Sequence, residues 1–171
     1  MGSGTRKLVF FSLLVTLGAA LHVVEMMIPN PFPIPGIKLG LANIVTLLTL
    51  SLYGVKEGLT VSFLRVLFGS LLSGTLFSPA FLLSMAGAML STLVMAVLIS
   101  YVPVLSIIGI SMAGAVFHNI GQLITASWLI QTGYIFFYLP VLLVAGLPAG
   151  LVTGYITRLL LQYLRKTYDS P

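Results

Sequence analysis

Few side chains in this sequence can do chemistry, and their spacing groups them. His22 and Glu25 stand three residues apart, which on a helix puts both on one face. Gly114, His118, Gly121, Gln122 and Thr125 recur at intervals of three and four, so one helix face gathers them, with Asn119 at its border. Arg65 lies inside an apolar run, and Lys38 and Asn43 follow a segment with proline at alternate positions, Pro29 to Pro35.

In hydrocarbon such side chains are costly, so they turn toward the interior of a bundle or toward a water-filled cavity. Lys38 and Asn43, beside a rigid loop, are candidate ligands for a solute, and a lysine there suits an anion. His118, Asn119 and Gln122 either touch that solute or bind neighbouring helices, since such bonds, worth about 1 kcal/mol, need no ligand. His22, Glu25 and Arg65 read as structural polar groups. For His22 that means an interhelical hydrogen bond, and for Glu25 a carboxylate at headgroup level. For Arg65 it means a bonded partner, or a stem that snorkels toward the cytoplasmic surface.

Other chemistry is excluded by what the sequence lacks. It has no cysteine, so disulfides, thiolate metal sites and cysteine nucleophiles are ruled out. Its three acidic residues include a single aspartate, Asp169, which leaves no aspartate-rich magnesium site for diphosphate chemistry. There is no Walker motif, and two histidines without thiolates or clustered carboxylates make a poor metal or haem site. The chain is expected to be no enzyme and to carry no cofactor or metal.

The elements that must position these groups are membrane helices. Hydrophobic residues make up 58% of the chain and charged ones 6%, against roughly 25% charged in a soluble domain. Apolar runs recur at about 8–28, 37–53, 59–76, 80–101, 105–130 and 134–164, and the last is either tilted or preceded by a turn near Pro140. The expectation is an all-α integral membrane bundle of six transmembrane helices in a single domain, 8–164. The opening MGSG reads as a tag remnant within an N-terminal segment 1–7, and 165–171 reads as a tail.

Six crossings put both termini on one side. Arg6, Lys7, Lys56, Arg158, Arg165 and Lys166 would then all be cytoplasmic, which is how basic residues orient a bundle in a bacterial cytoplasmic membrane. The net charge of +5 therefore reads as topology and not as a nucleic-acid surface. Lys38 falls on the outside with the proline-rich loop. Ser12, Thr16 and Ala20 on the first helix, and Gly146, Gly150 and Gly154 on the sixth, form small-residue stripes that let another helix approach, inside the molecule or on a partner.

Three motifs in order carry a resemblance. They are Pro35-Gly36-Ile37-Lys38-Leu39-Gly40-Leu41-Ala42-Asn43-Ile44-Val45-Thr46-Leu47; Leu64-Arg65-Val66-Leu67 followed by Gly69-Ser70-Leu71-Leu72; and Gly114-Ala115-Val116-Phe117-His118-Asn119-Ile120-Gly121-Gln122. Together they closely resemble the Gx transporter family, which also bears the label heptaprenyl diphosphate synthase component I. That family is similar to the S components of energy-coupling factor (ECF) transporters, the bacterial vitamin-uptake systems.

The resemblance implies a six-helix protein with cytoplasmic termini that binds a small-molecule solute near its outer side. It also implies partners, a transmembrane coupling subunit and two ATPases. On this pattern Ser12, Thr16 and Ala20 become the face offered to the coupling subunit, although Ser12 and Thr16 stand where alanine is more usual. The Asn30 to Lys38 loop becomes an outer lid, and Lys38, Asn43, His118, Asn119 and Gln122 become solute contacts. The competing expectation is a non-catalytic accessory subunit in isoprenoid or quinone metabolism or extracellular redox chemistry. A stand-alone facilitator is a third possibility. A cavity lined by Lys38, Asn43, His118 and Gln122 would favour the transporter, and close packing of mutually bonded polar groups would favour the accessory role.

Overall fold

The computed structural model describes residues 3–28 and 40–169. Lys38 and the expected 30–38 lid lie outside the described residues.

Six α-helices occur, α1 Ser3–Met27, α2 Leu41–Tyr53, α3 Val55–Leu72, α4 Pro79–Tyr101, α5 Ile107–Ile130 and α6 Leu139–Asp169, with a short 3-10 helix at Tyr134–Tyr138. Local sequence sets their ends. Gly54, at φ 95, lets α2 turn directly into α3 in a conformation that a side chain would resist. Ser78 caps α4 by accepting from the Phe81 amide at 3.4 Å, with Pro79 at the first position, where its missing N–H costs nothing. Ser106 caps α5 in the same way, accepting from Gly109 at 3.2 Å. The sequence left a choice for the last element, and the structure shows the turn. The 3-10 segment, with Tyr134 and Phe137 stacked at 6.3 Å, precedes α6, which runs helical to Asp169 beyond the expected 164.

Four segments are long and apolar enough to cross a membrane: Lys7–Met27, Pro79–Tyr101, Ile107–Ile130 and Tyr134–Leu164. The six-helix count fits the expectation, while α2 and α3 depart from its spanning criterion for different reasons. At 13 residues α2 is only about 20 Å long, against a hydrocarbon core of about 30 Å. It lies against α1, α3, α4 and α6, and every residue from Ile44 to Leu50 is buried, so α2 is the central helix of the bundle. The other helix, α3, carries Lys56, Glu57 and Arg65 within 18 residues.

Around α2 the remaining helices pack in the order α1, α3, α4, α5, α6. Leu14, Val15, Val45, Leu48, Val61 and Leu161 form one core cluster, and Leu47, Leu50, Met95, Ala96 and Ile110 form another, so α2 supplies both. The glycine stripe of α6 is an internal contact. A Cβ at Gly150 would lie 2.7 Å from the Met112 Cα, and one at Gly154 would lie 2.8 Å from the Ile108 Cα, both on α5. Hydroxyls tie other helices together, Thr92 donating to Ser62 at 2.8 Å and Ser111 pairing with Thr153 at 2.9 Å.

Candidate functional site

Arg65 is 3% exposed and is the one buried side chain of fixed charge among the described residues. A guanidinium inside an apolar bundle needs acceptors, because an unpaired charge there is strongly penalised. The central helix supplies them. The Nε–H of Arg65 donates to Thr46 Oγ1 at 2.9 Å, and Nη2 donates to Asn43 Oδ1 at 2.6 Å. Asn43 and Thr46 are three apart on α2 and face α3 together. Of the two readings for Arg65, a bonded partner or a stem that snorkels, the structure shows the bonded partner. The side chain reaches to the first turn of α2, because bonded oxygens lie there. Gly18 makes room for it, with an added Cβ 3.1 Å from the Arg65 Cβ.

Glu25 approaches from the last turns of α1, where its carboxylate accepts a hydrogen bond from the Gly40 backbone N–H. Gly40 caps α2 at φ 74, a left-handed conformation that favours glycine, and being glycine it brings no capping side chain of its own. Glu25 therefore sits at the positive end of the α2 dipole and within electrostatic reach of Arg65. Glu25 thereby ties the end of α1 to the start of α2. His22, 4% exposed, packs against Gly69 of α3, where an added Cβ would come within 2.6 Å of the ring.

These groups line a cleft of about 10 Å³ formed by His22, Glu25, Gly40, Asn43, Arg65, Val66, Ser84 and His118, which draws on α1 through α5. A second cleft, of about 20 Å³, shares Gly40, Asn43 and His118 and adds Ala115, Asn119, Gly146, Ala149, Gly150 and Thr153. Each has room for about one water molecule. His118 thus stands between the two, at the middle of α5.

Of the expected solute contacts, Asn43 and His118 come together here and Lys38 lies outside the described residues. Asn119 lines the second cleft, but its Nδ2 donates to the Leu142 carbonyl at 2.9 Å, which makes it a bond between α5 and α6. Gln122 lines neither cleft. It is 4% exposed between α4 and α5, and its Oε1 has no hydrogen-bond partner among the described residues.

Thr46 and Ser84 were not singled out in the sequence. Their signal is a stripe of small and polar residues. On α4 the buried positions Phe81, Ser84, Gly87, Ala88, Ser91, Thr92 and Met95 repeat at three and four.

The stripe of Ser12, Thr16 and Ala20 faces outward. It borders an apolar groove of about 610 Å³ between α1 and α3, whose other walls include Phe11, Leu64, Phe68 and Leu72. Both hydroxyls are satisfied within α1, Ser12 donating to the Leu8 carbonyl at 3.0 Å and Thr16 to the Ser12 carbonyl at 2.9 Å, so the groove offers packing surface and no free polar handle. Away from these sites Lys7 pairs with Glu57 at 2.8 Å, joining α1 to the start of α3. That bond from Lys7, and next the backbone amide bond at Glu57 itself, hold the Glu57 carboxyl below the usual carboxylate range. Among the described residues no three His, Cys, Asp or Glu side chains gather as a metal site would require.

No curated protein and no solved structure matches the chain significantly. The family described as heptaprenyl diphosphate synthase component I matches residues 14–160, which includes every helix-borne residue of both clefts. This multi-helix membrane protein belongs to the heptaprenyl diphosphate synthase component I family.

Proposed function

We propose that this chain is the solute-binding membrane subunit of an ECF-type importer, for a small molecule such as a vitamin or an isoprenoid- or quinone-related metabolite. It performs no catalysis itself. The observation that carries the reading is the convergence of polar side chains from five helices on a buried arginine, at the end of the bundle where α1 stops and α2 begins. A bundle built only to pack has little use for that cost. On this reading that end faces outward and both termini face the cytoplasm of a bacterial membrane. The groove beside Ser12, Thr16 and Ala20 receives a transmembrane coupling subunit, and separate ATPases supply the energy.

A second reading has its own support. The clefts hold little more than a water each, and Asn43 and Asn119 are already bonded, to Arg65 and to the Leu142 carbonyl. Close packing of this kind suits a non-catalytic accessory subunit in isoprenoid or quinone metabolism or extracellular redox chemistry.

Native mass spectrometry of the protein purified from its own host separates the two. A co-purified metabolite, lost on His118→Ala and accompanied by coupling and ATPase subunits, supports the importer. Protein without a metabolite, bound to a prenyl-chain or redox enzyme, overturns it.

A further inference from the structure

A guanidinium carries five N–H donors. Thr46 and Asn43 take two of those of Arg65, and among the described residues no acceptor meets the other three, although the side chain is 3% exposed and lines the cleft. The start of α2, whose cap residue Gly40 has no side chain, opens on the same cleft through Gly40 and Asn43, and a helix start favours negative charge. Two features that attract an anion therefore face one small space. One carboxylate already serves them, that of Glu25, bonded to the Gly40 N–H and within electrostatic reach of Arg65.

We propose that Glu25 is an exchangeable stand-in for the anionic group of the solute. A carboxylate or phosphate entering the cleft takes up the open donors of Arg65 and displaces the Glu25 carboxylate from the Gly40 N–H. Two negative groups beside one guanidinium repel each other, so entry of the second favours release of the first. Release removes that tie between the end of α1 and the start of α2. Binding energy is in this way coupled to the loss of that bond, through the difference in the anion's affinity for the two arrangements. The inference rests on the solute-binding reading and adds to it the class of solute and the group it replaces.

The test uses the full chain in nanodiscs of zwitterionic lipid, with inorganic pyrophosphate and succinate as probes at constant ionic strength, and calorimetric titration as the readout. Wild-type protein is expected to bind at least one probe. Glu25→Gln, which removes the competing charge, is expected to bind it about tenfold tighter, the equivalent of one charge-assisted hydrogen bond no longer displaced. Arg65→Gln is expected to abolish binding. Because that variant can fail to fold, Asn43→Asp is the companion, placing a permanent carboxylate against the guanidinium and weakening the probe by a similar factor. Equal or weaker binding by Glu25→Gln overturns the proposal.

Native mass spectrometry of the same samples keeps the two failures apart. A neutral or cationic metabolite that co-purifies, and that pyrophosphate and succinate do not compete away, overturns the anion class and leaves solute binding standing. No metabolite and no probe binding in any variant overturns both.

Discussion

Arg65 on α3 donates a 2.6 Å hydrogen bond from Nη2 to Oδ1 of Asn43 on α2, so the buried cation is held by the central helix and not by the membrane surface. Removing the acceptor leaves the charge in place with one fewer partner. Asn43→Ala is therefore expected to cost about 1.5–3 kcal/mol, the range for hydrogen bonds to charged groups. Reversible unfolding in detergent measures it, and a change below about 0.5 kcal/mol, typical of surface substitutions, would show that water replaces the asparagine at no loss.

The contact of α5 with α6 depends on the absence of a side chain at Gly150. Its nearest neighbour is the Met112 backbone, 2.7 Å from an added Cβ, and backbone cannot swing aside. Gly150→Ala is expected to destabilise by about 1–3 kcal/mol, as overpacking does. Gly133→Ala serves as control, since it lies at φ −82 with nothing within 4 Å of an added Cβ, and should leave the unfolding midpoint unchanged. Equal effects at the two positions would mean that the helices are not in this contact.

Asn119 was expected either to touch solute or to bind a neighbouring helix, and the structure shows a bond to the Leu142 carbonyl. Interhelical bonds of this kind average about 0.6 kcal/mol and reach about 1.7 kcal/mol in membrane proteins, so Asn119→Leu should cost an amount in that range. Affinity for a co-purified solute should hold to within about threefold, because the remaining effect is on helix packing. A large loss of affinity at unchanged stability would restore the asparagine to the binding site.

The Lys7–Glu57 pair gives stability a pH dependence whose sign follows from the lowered carboxyl pKa. A group whose pKa is depressed on folding contributes fully above its unfolded value and loses that contribution as pH falls through the folded one. The difference in unfolding free energy between wild type and Glu57→Gln should thus be constant near neutral pH and shrink as the solution is acidified below the usual carboxylate range. A difference that does not vary with pH would mean that the pair does not persist in solution.

How much of this was legible follows from what hydropathy measures. Lipid-facing and protein-facing positions are both apolar, so the run that became α2 read as one more span, and only the packed structure shows it buried at the centre. Spacing along one helix was readable, which is why His22 and Glu25 were grouped. The tie from Glu25 to Gly40 crosses 15 residues, and no periodic pattern reports it. The cost of burying Arg65 marked it as bonded, but its bonding atoms sit 19 and 22 residues away in sequence, so their identity required the fold. The glycine stripe of α6 was legible as a contact, and its partner was not.

The groove between α1 and α3 separates surface from interior in a way that can be measured. Thr16 and Ala20 line it from the exposed side of α1, so enlarging either removes no core contact, and Ala20→Leu should change stability by less than about 0.5 kcal/mol. If a coupling subunit packs a helix there, the same leucine holds that helix away and its affinity for the partner drops by about tenfold or more, since close approach through small residues is the main source of attraction between helices in lipid. Thr16→Leu should act alike, because its hydroxyl is satisfied within α1 and offers the partner only its size. Co-purification of the coupling and ATPase subunits with each variant, beside its unfolding midpoint, is the measurement. Loss of the partners at an unchanged midpoint identifies the groove as the docking face. Full retention with both leucines in place would assign the face to lipid and remove the main structural support for a shared energising module.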